Sequence, residues 1–238
     1  MNMPVDYTFP KKRSSESGLT LIECLVAIVV IALTTATMTP MVLFAVATRV
    51  QNQKAEQALS LAQSEIDRVR LAVEQGGDYG DYLGELSLVR LPDATPPTDI
   101  TAAVAPQTFI DSTATASAVT EARRVDTDGD GDTDFAVQLF RTEGIEVSPT
   151  TAGVLASTPV AFSVGVRVYD SRAAASLPSS LKTDEAGLSF TSGEGDRTTR
   201  PLAVLYSQIT QGDRVGSLCQ YWDFADSTAA NRSDLLCD

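Results

Sequence analysis

The chain has 238 residues, 43% of them apolar and 21% charged, which suffices for one globular domain with an appendage or for two small domains. Its formal net charge of −13 makes it a poor ligand for nucleic acid, whose phosphates call for Lys and Arg, so no direct nucleic-acid contact is expected. Histidine is absent, which removes His-based acid–base catalysis and His-liganded zinc; with no nucleophile motif and no phosphate loop, the chain is not expected to be an enzyme.

Residues 1–18 are polar and end in Lys11-Lys12-Arg13-Ser14-Ser15-Glu16-Ser17-Gly18. Leu19-Thr20-Leu21-Ile22-Glu23 follows, and from Cys24 to Thr48 no residue is charged. Those 25 residues reach about 37 Å as a helix, more than the roughly 30 Å hydrocarbon core of a bilayer. The basic cluster ahead of them predicts a cytoplasmic N-terminus with the remainder across the membrane. A secretory signal peptide fits poorly, because the apolar run is too long and Glu23 breaks its entry. Acylation at Cys24 fits poorly too, because Glu23 stands where small or apolar residues are needed. A plain single-pass anchor explains length and orientation but leaves Gly18 and Glu23 without a purpose. A carboxylate at the edge of a membrane segment is costly and points to a function and a partner.

Gly18-Leu19-Thr20-Leu21-Ile22-Glu23, behind a basic leader and ahead of a long apolar helix, resembles the type IV pilin and pseudopilin family. The one departure is Leu19, where the family usually has Phe. The resemblance implies cleavage by prepilin peptidase between Gly18 and Leu19 and N-methylation of the new Leu19 amine. It divides the chain into a cleaved leader (1–18), a transmembrane and assembly helix (19–50), an amphipathic continuation (51–75) and a periplasmic or extracellular head (76–238). In a filament, Glu23 of one subunit would face the Leu19 ammonium of its neighbour, offsetting two burial penalties and fixing axial register. Pro40 stands at the distance after cleavage where major pilins carry a proline, and Thr34, Thr35, Thr37 and Thr39 can bond back to carbonyls around it. The implied partners are prepilin peptidase, other pilin or pseudopilin subunits, the inner-membrane assembly platform, and membrane lipid before assembly. The implied location is the inner membrane, then a pilus or pseudopilus reaching as far as the cell surface.

Beyond the apolar run, Ala55, Leu59, Ala62, Ile66, Val69 and Val73 recur at helical spacing among polar residues, so one helix is expected from Leu19 to Gln75, stopped by Gly76-Gly77 and about 85 Å long. Its apolar stripe should lie on the head. Leu86–Leu91 reads as a short strand, and 92–120 as an irregular connection. Strands follow at Phe135–Arg141, Val160–Tyr169 (apolar at even positions) and Leu202–Ile209, with a mobile polar loop over 171–200. A long helix followed by strands gives an α+β fold with an antiparallel sheet, the pilin architecture.

Between 126 and 134 the sequence is Asp-Thr-Asp-Gly-Asp-Gly-Asp-Thr-Asp. Alternate carboxylates with Gly131 at the sixth place match the first half of a calcium loop, with Asp126, Asp128 and Asp130 ligating by side chain, Asp132 by its carbonyl, and Asp134 directly or through water. Val137 occupies the twelfth place, where an EF-hand needs Glu, so the segment more closely resembles the DxDxDG calcium loops of extracellular modules; the alternative is a solvated acidic turn. Cys219 and Cys237, 18 positions apart, read as a disulfide in an exported domain, with Cys24 a buried thiol; three reduced thiols are the alternative. The enclosed segment resembles the disulfide-bounded C-terminal loop of many pilins. The expected function is therefore a structural subunit, a minor one given its long head and Leu start. The alternative is a surface adhesin or binding module on the same anchor, tuned by calcium.

Overall fold

A computed structural model describes residues 18, 20–76, 79–91, 99–146, 159–175, 180–187 and 195–212. The chain divides into two compact units, Met1–Val46 and Ala47–Asp238. Helix α1 (Leu21–Glu74) runs through the boundary.

In the first unit α1 carries only apolar and small residues after Glu23, and every described residue is exposed in the single chain. It passes through Pro40 without interruption. The threonine hydroxyls bond back as expected: Thr34 and Thr35 to the Ile31 carbonyl at 2.9 Å, Thr37 to Thr34 at 2.9 Å, and Thr39 to Thr35 at 2.8 Å. None of these bonds falls on Ala36, the carbonyl that the missing Pro40 N–H leaves without its helical donor.

In the second unit α1 becomes amphipathic and ends where Gly76, at φ 70°, turns the chain in the left-handed region. The buried stripe is Ala58, Ala62, Ile66, Val69, Ala72 and Val73. Ala55 is only half-buried and Leu59 is 40% exposed, so the contact line is rotated slightly from the expected one. Ala58 and Ala62 are fully buried because a methyl side chain lets the sheet approach the helix closely. Each fully buried Val adds about 1.5–3 kcal/mol.

After α1 come α2 (Gly80–Glu85), β1 (Val89–Arg90), a 3-10 turn (Asp99–Ala102), β2 (Thr108–Ile110), β3 (Glu121–Val125), β4 (Phe135–Arg141), β5 (Ile145–Glu146), β6 (Pro159–Asp170), α3 (Ser171–Ala175) and β7 (Ala203–Thr210). The sheet is centred on β6, with β7 on one side and β4, continued by β5, on the other, all antiparallel. β3 adds antiparallel to β4; β1 pairs parallel with β4 and β2 parallel with β3, so the sheet is mixed but dominated by antiparallel pairs. The fold is the expected α+β, pilin-like arrangement of a long helix on a sheet.

Alternate residues of β6 divide between the two faces. Phe162, Val164, Val166 and Val168 share one core with α1. Their neighbours are also buried, because the other face is covered in its turn: Phe140 packs with Leu91, Ile100 and Ala103, and Tyr169 with Ala122, Ala136, Ala173 and Leu181. Gly165 is required there, since a Cβ would lie 2.4 Å from the Phe140 ring. On that face Arg167 is fully buried. Its guanidinium donates to the carbonyls of Ala103 (2.7 Å) and Thr101 (3.2 Å) and to Tyr206 Oη (3.2 Å), and lies 4.9 Å over Phe140. Gln138 donates to the carbonyls of Val104 (2.8 Å) and Val119 (2.6 Å). These two side chains replace with hydrogen bonds the water that a covered sheet face has lost.

Several local expectations change. Of Leu86–Leu91 only β1 is strand: Leu86 closes α2, and Ser87, at φ 63°, reverses the chain while its Oγ accepts from Ala116 N at 3.0 Å. The 92–120 segment is not irregular throughout, since it holds the 3-10 turn and β2. Within 171–200 the described parts are not a loose loop. They include α3 and buried Leu181, Ala186 and Arg197, tied by Lys182 N to Thr199 O (2.7 Å) and Ala186 N to Pro201 O (2.8 Å).

Candidate functional site

The N-terminal segment is organised by Thr20. Its carbonyl accepts from Glu23 N (3.0 Å) and Cys24 N (3.2 Å), and its Oγ1 also accepts from Glu23 N at 3.3 Å. Thr20 is therefore the N-cap of α1 and Glu23 its third residue, the Thr-x-x-Glu spacing of a capping box. The same residues that signal processing also start the helix. The Glu23 carboxylate sits in the first turn, where the helix dipole favours negative charge. This cap went unremarked in the sequence, although Thr20-Leu21-Ile22-Glu23 carries its signal. Gly18 is exposed with open space around its Cα. Leu19 lies outside the described residues. Cys24 is exposed in the single chain rather than buried, because none of the described residues packs against that stretch of α1. Cys219 and Cys237 lie outside the described residues.

The acidic segment forms the connection from β3 to β4. Asp134 N donates to the Val125 carbonyl at 3.0 Å, closing the loop. Gly129 and Gly131, at φ 78° and 93°, supply the sharp turns. Their N–H groups donate to the two carboxylate oxygens of Asp126, at 2.7 and 2.9 Å. Asp130 N donates to Asp128 Oδ1 at 3.2 Å, and Asp132 N to Asp130 Oδ1 at 2.8 Å. One ligand atom each from Asp126, Asp128 and Asp130 lies within 4.8 Å of the others. That is a hard, all-oxygen donor set of the kind calcium takes. The carboxylates of Asp132 and Asp134 lie outside this group of three, and Asp134 Oδ2 accepts from the N–H and hydroxyl of Thr127.

The loop's charges are unequally placed. The Gly131 and Gly129 N–H groups hold Asp126 below the usual carboxylate range, and the Thr127 hydroxyl and N–H do the same for Asp134. At Asp128 the Asp130 N–H pulls downward, but loss of water and repulsion from Asp130, Asp134 and Asp126 outweigh it and raise the carboxyl.

The loop also abuts the junction of helix and head. The Asp134 carbonyl accepts from Ser171 N at 2.9 Å, at the start of α3. One residue earlier, buried Asp170 pairs with Lys54 of α1 at 3.7 Å. Further along α1, Glu65, 5% exposed at its side chain, accepts from Arg123 of β3 at 2.8 Å and from Arg68 at 3.1 Å. The Lys54–Asp170 and Glu65–Arg123 pairs tie the helix to the sheet, and losing either cation would leave a buried carboxylate without that partner.

A family model described as the prokaryotic N-terminal methylation motif matches residues 13–39. The chain carries an N-terminal methylation motif. This motif, followed by the long apolar helix, fits a type IV pilin or pseudopilin. It implies processing by prepilin peptidase, assembly with other pilin subunits, and membrane anchoring. The match ends at residue 39 and leaves the head unmatched; no curated protein and no solved structure matches the chain.

A pH titration tests the loop. Asp126 is depressed in the fold, so its contribution to stability is complete above about pH 4 and is lost as pH falls through the lower folded value. The Gly129 and Gly131 amide proton resonances should titrate together, with a midpoint below the usual Asp range, and should stop titrating in Asp126→Asn. Midpoints at or above that range would contradict the geometry.

Proposed function

We propose that the chain is a minor structural subunit of a type IV pilus or of a type II secretion-like pseudopilus. The observation that carries this reading is the pairing of the methylation motif with an apolar helix stretch none of which is buried in the single chain. Such a surface needs bilayer or other apolar helices around it, and an assembling subunit meets both in turn. Prepilin peptidase cuts between Gly18 and Leu19 and the Leu19 amine is methylated. The head stands in the periplasm on a single inner-membrane span, and the assembly platform then draws the subunit into the filament. Glu23 pairs there with the Leu19 ammonium of its neighbour and sets the register. Pro40 gives α1 a point at which to bend. Cys219 and Cys237 close the C-terminal segment of the exported head as a disulfide.

A second reading, compatible with the first, is that the β3–β4 connection binds calcium and the head acts as a calcium-tuned binding module at the surface. The convergence of Asp126, Asp128 and Asp130 supports it. A cation there would relieve the repulsion that raises Asp128 and would stiffen the entry to β4 beside Lys54 and Asp170.

Glu23→Val tests the first reading. It should leave cleavage intact, while an uncompensated buried ammonium, at about 3–5 kcal/mol, lowers incorporation by two orders of magnitude or more. Immunoblots of sheared filaments against membrane fractions would measure this, and normal incorporation would contradict the register role. For the second reading, calorimetry of the full chain in detergent with millimolar calcium should give a binding heat that Asp128→Asn abolishes. No heat from the wild type would remove calcium from the account.

A further inference from the structure

Arg197 is 4% exposed and lies in the turn at 195–199 that leads into β7. Its Nε and Nη2 are sealed from solvent and have no hydrogen-bond partner among the described residues. These two nitrogens form one edge of the guanidinium, with parallel N–H bonds that match the two oxygens of a carboxylate or phosphate. The described carboxylates of the same segment do not serve it. Asp184 and Asp196 both pair with Arg200, at 3.7 and 3.3 Å, and Glu185 is exposed.

The contrast with the other buried arginine is informative. Arg167 also has an unpartnered Nε, but it spends both Nη groups on main-chain carbonyls and on Tyr206 Oη and rests on the Phe140 ring, so only one of its nitrogens is unmade where Arg197 has a whole Nε–Nη2 edge. Arg197 shows no such bonds. A buried donor left unmade is costly, and more so on a cation, so an edge of this kind calls for an acceptor from outside the described fold. In a chain of net charge −13, a cation shielded from its own carboxylates is well placed to receive a foreign anion.

We infer that the Nε–Nη2 edge of Arg197 is a receiving site for an oxyanion, taken side-on through two parallel hydrogen bonds. The oxyanion is supplied either by a carboxylate side chain of a neighbouring subunit or by a free ion such as phosphate. The edge is sealed, so an oxyanion enters only when the turn opens. Once bound, it holds the turn shut and protects the amides that close it. Those are Thr199 N and Arg200 N, which donate to the Asp196 carbonyl at 3.0 and 2.7 Å, and Lys182 N, which donates to Thr199 O. The site itself does not depend on the assembly reading; only the neighbouring-subunit source does.

The test uses the full chain in detergent, in phosphate and in chloride at matched ionic strength, with thermal unfolding and amide hydrogen exchange as readouts. In the wild type, phosphate should raise the unfolding midpoint and slow exchange over 195–202 by tenfold or more. In Arg197→Met both effects should vanish, and in chloride this variant should melt no lower than the wild type, because the unmade donors are gone. Should Arg197→Met fail to fold, Arg197→Lys keeps the charge without the side-on edge and should lose the phosphate effect. A variant that melts several degrees lower in chloride would show that Arg197 is paired internally, and equal phosphate effects on wild type and variant would show that the ion acts elsewhere; either result overturns the site. Assembled filaments in chloride separate the sources. Protection of 195–202 that depends on Arg197 identifies a neighbour's carboxylate. Protection that appears only on adding phosphate identifies the free ion. Filaments and soluble chain that both lack any Arg197-dependent protection overturn the proposal.

Discussion

One helix serves two solvents, and the rest of the structure is arranged around that constraint. Up to Val46, α1 exposes apolar side chains on every face, a surface suited to hydrocarbon and to other helices. From Ala58 onward the same helix narrows to a stripe of Ala, Val and Ile that only a close-packed sheet can cover. An unmodified stripe would let the helix slide or rotate on the sheet. The charged pairs resist this because they act in opposite directions: the helix gives Glu65 to Arg123 of the sheet, and the end of β6 gives Asp170 to Lys54 of the helix. Desolvation leaves such pairs with little net stabilisation, but a shift in register would strand two buried carboxylates.

At its centre, strands β4 and β6, the sheet of the head is buried on both faces, and its other features follow from that. One face belongs to α1. The other is covered in part by the segment around the 3-10 turn, whose own carbonyls at Thr101, Ala103 and Val104 would be orphaned against an apolar sheet. Arg167 and Gln138 meet those carbonyls from β6 and β4, and Gly165 leaves the room that Phe140 needs to reach Leu91, Ile100 and Ala103. With β4 and β6 fixed in register from Phe135–Asp170 to Arg141–Val164, the β3–β4 connection has one place to go, at the end of the sheet beside Asp170 and Lys54. The end of that connection, at Asp134, is hydrogen-bonded to Ser171, the residue after the Asp170 that pairs with Lys54.

The elements legible in the sequence were those with a single dominant signal. The charge-free run, the 3.6-residue stripe and the strands at Phe135, Val160 and Leu202 fell within a residue or two of their observed ends. The N-terminal methylation motif was readable because Gly18 and Glu23 make no sense in an ordinary membrane anchor. What was not legible depended on contacts distant in sequence. β2 has three residues and β3 five, and β3 (Glu-Ala-Arg-Arg-Val) is a strand because β4 pairs with it rather than by its own pattern. Only the even positions of β6 stood out as apolar in the sequence, yet Ser163, Gly165, Arg167 and Tyr169 between them are buried as well. Ser87 takes a left-handed conformation usually left to glycine, which no pattern announces. At the acidic loop, composition pointed to five ligands. The backbone geometry brings the carboxylates of Asp126, Asp128 and Asp130 together, and Asp134 Oδ2 accepts from Thr127.

The central claim is that the leader is removed and the exposed apolar helix becomes the filament's interior. It is tested most directly by intact mass and N-terminal sequencing of the chain recovered from its native membrane and from sheared filaments. The account predicts a chain that begins at N-methyl-Leu19, with the mass of residues 19–238 plus one methyl group. A chain that still begins near Met1 in both fractions would contradict it and would leave a permanent membrane anchor carrying a surface-binding head.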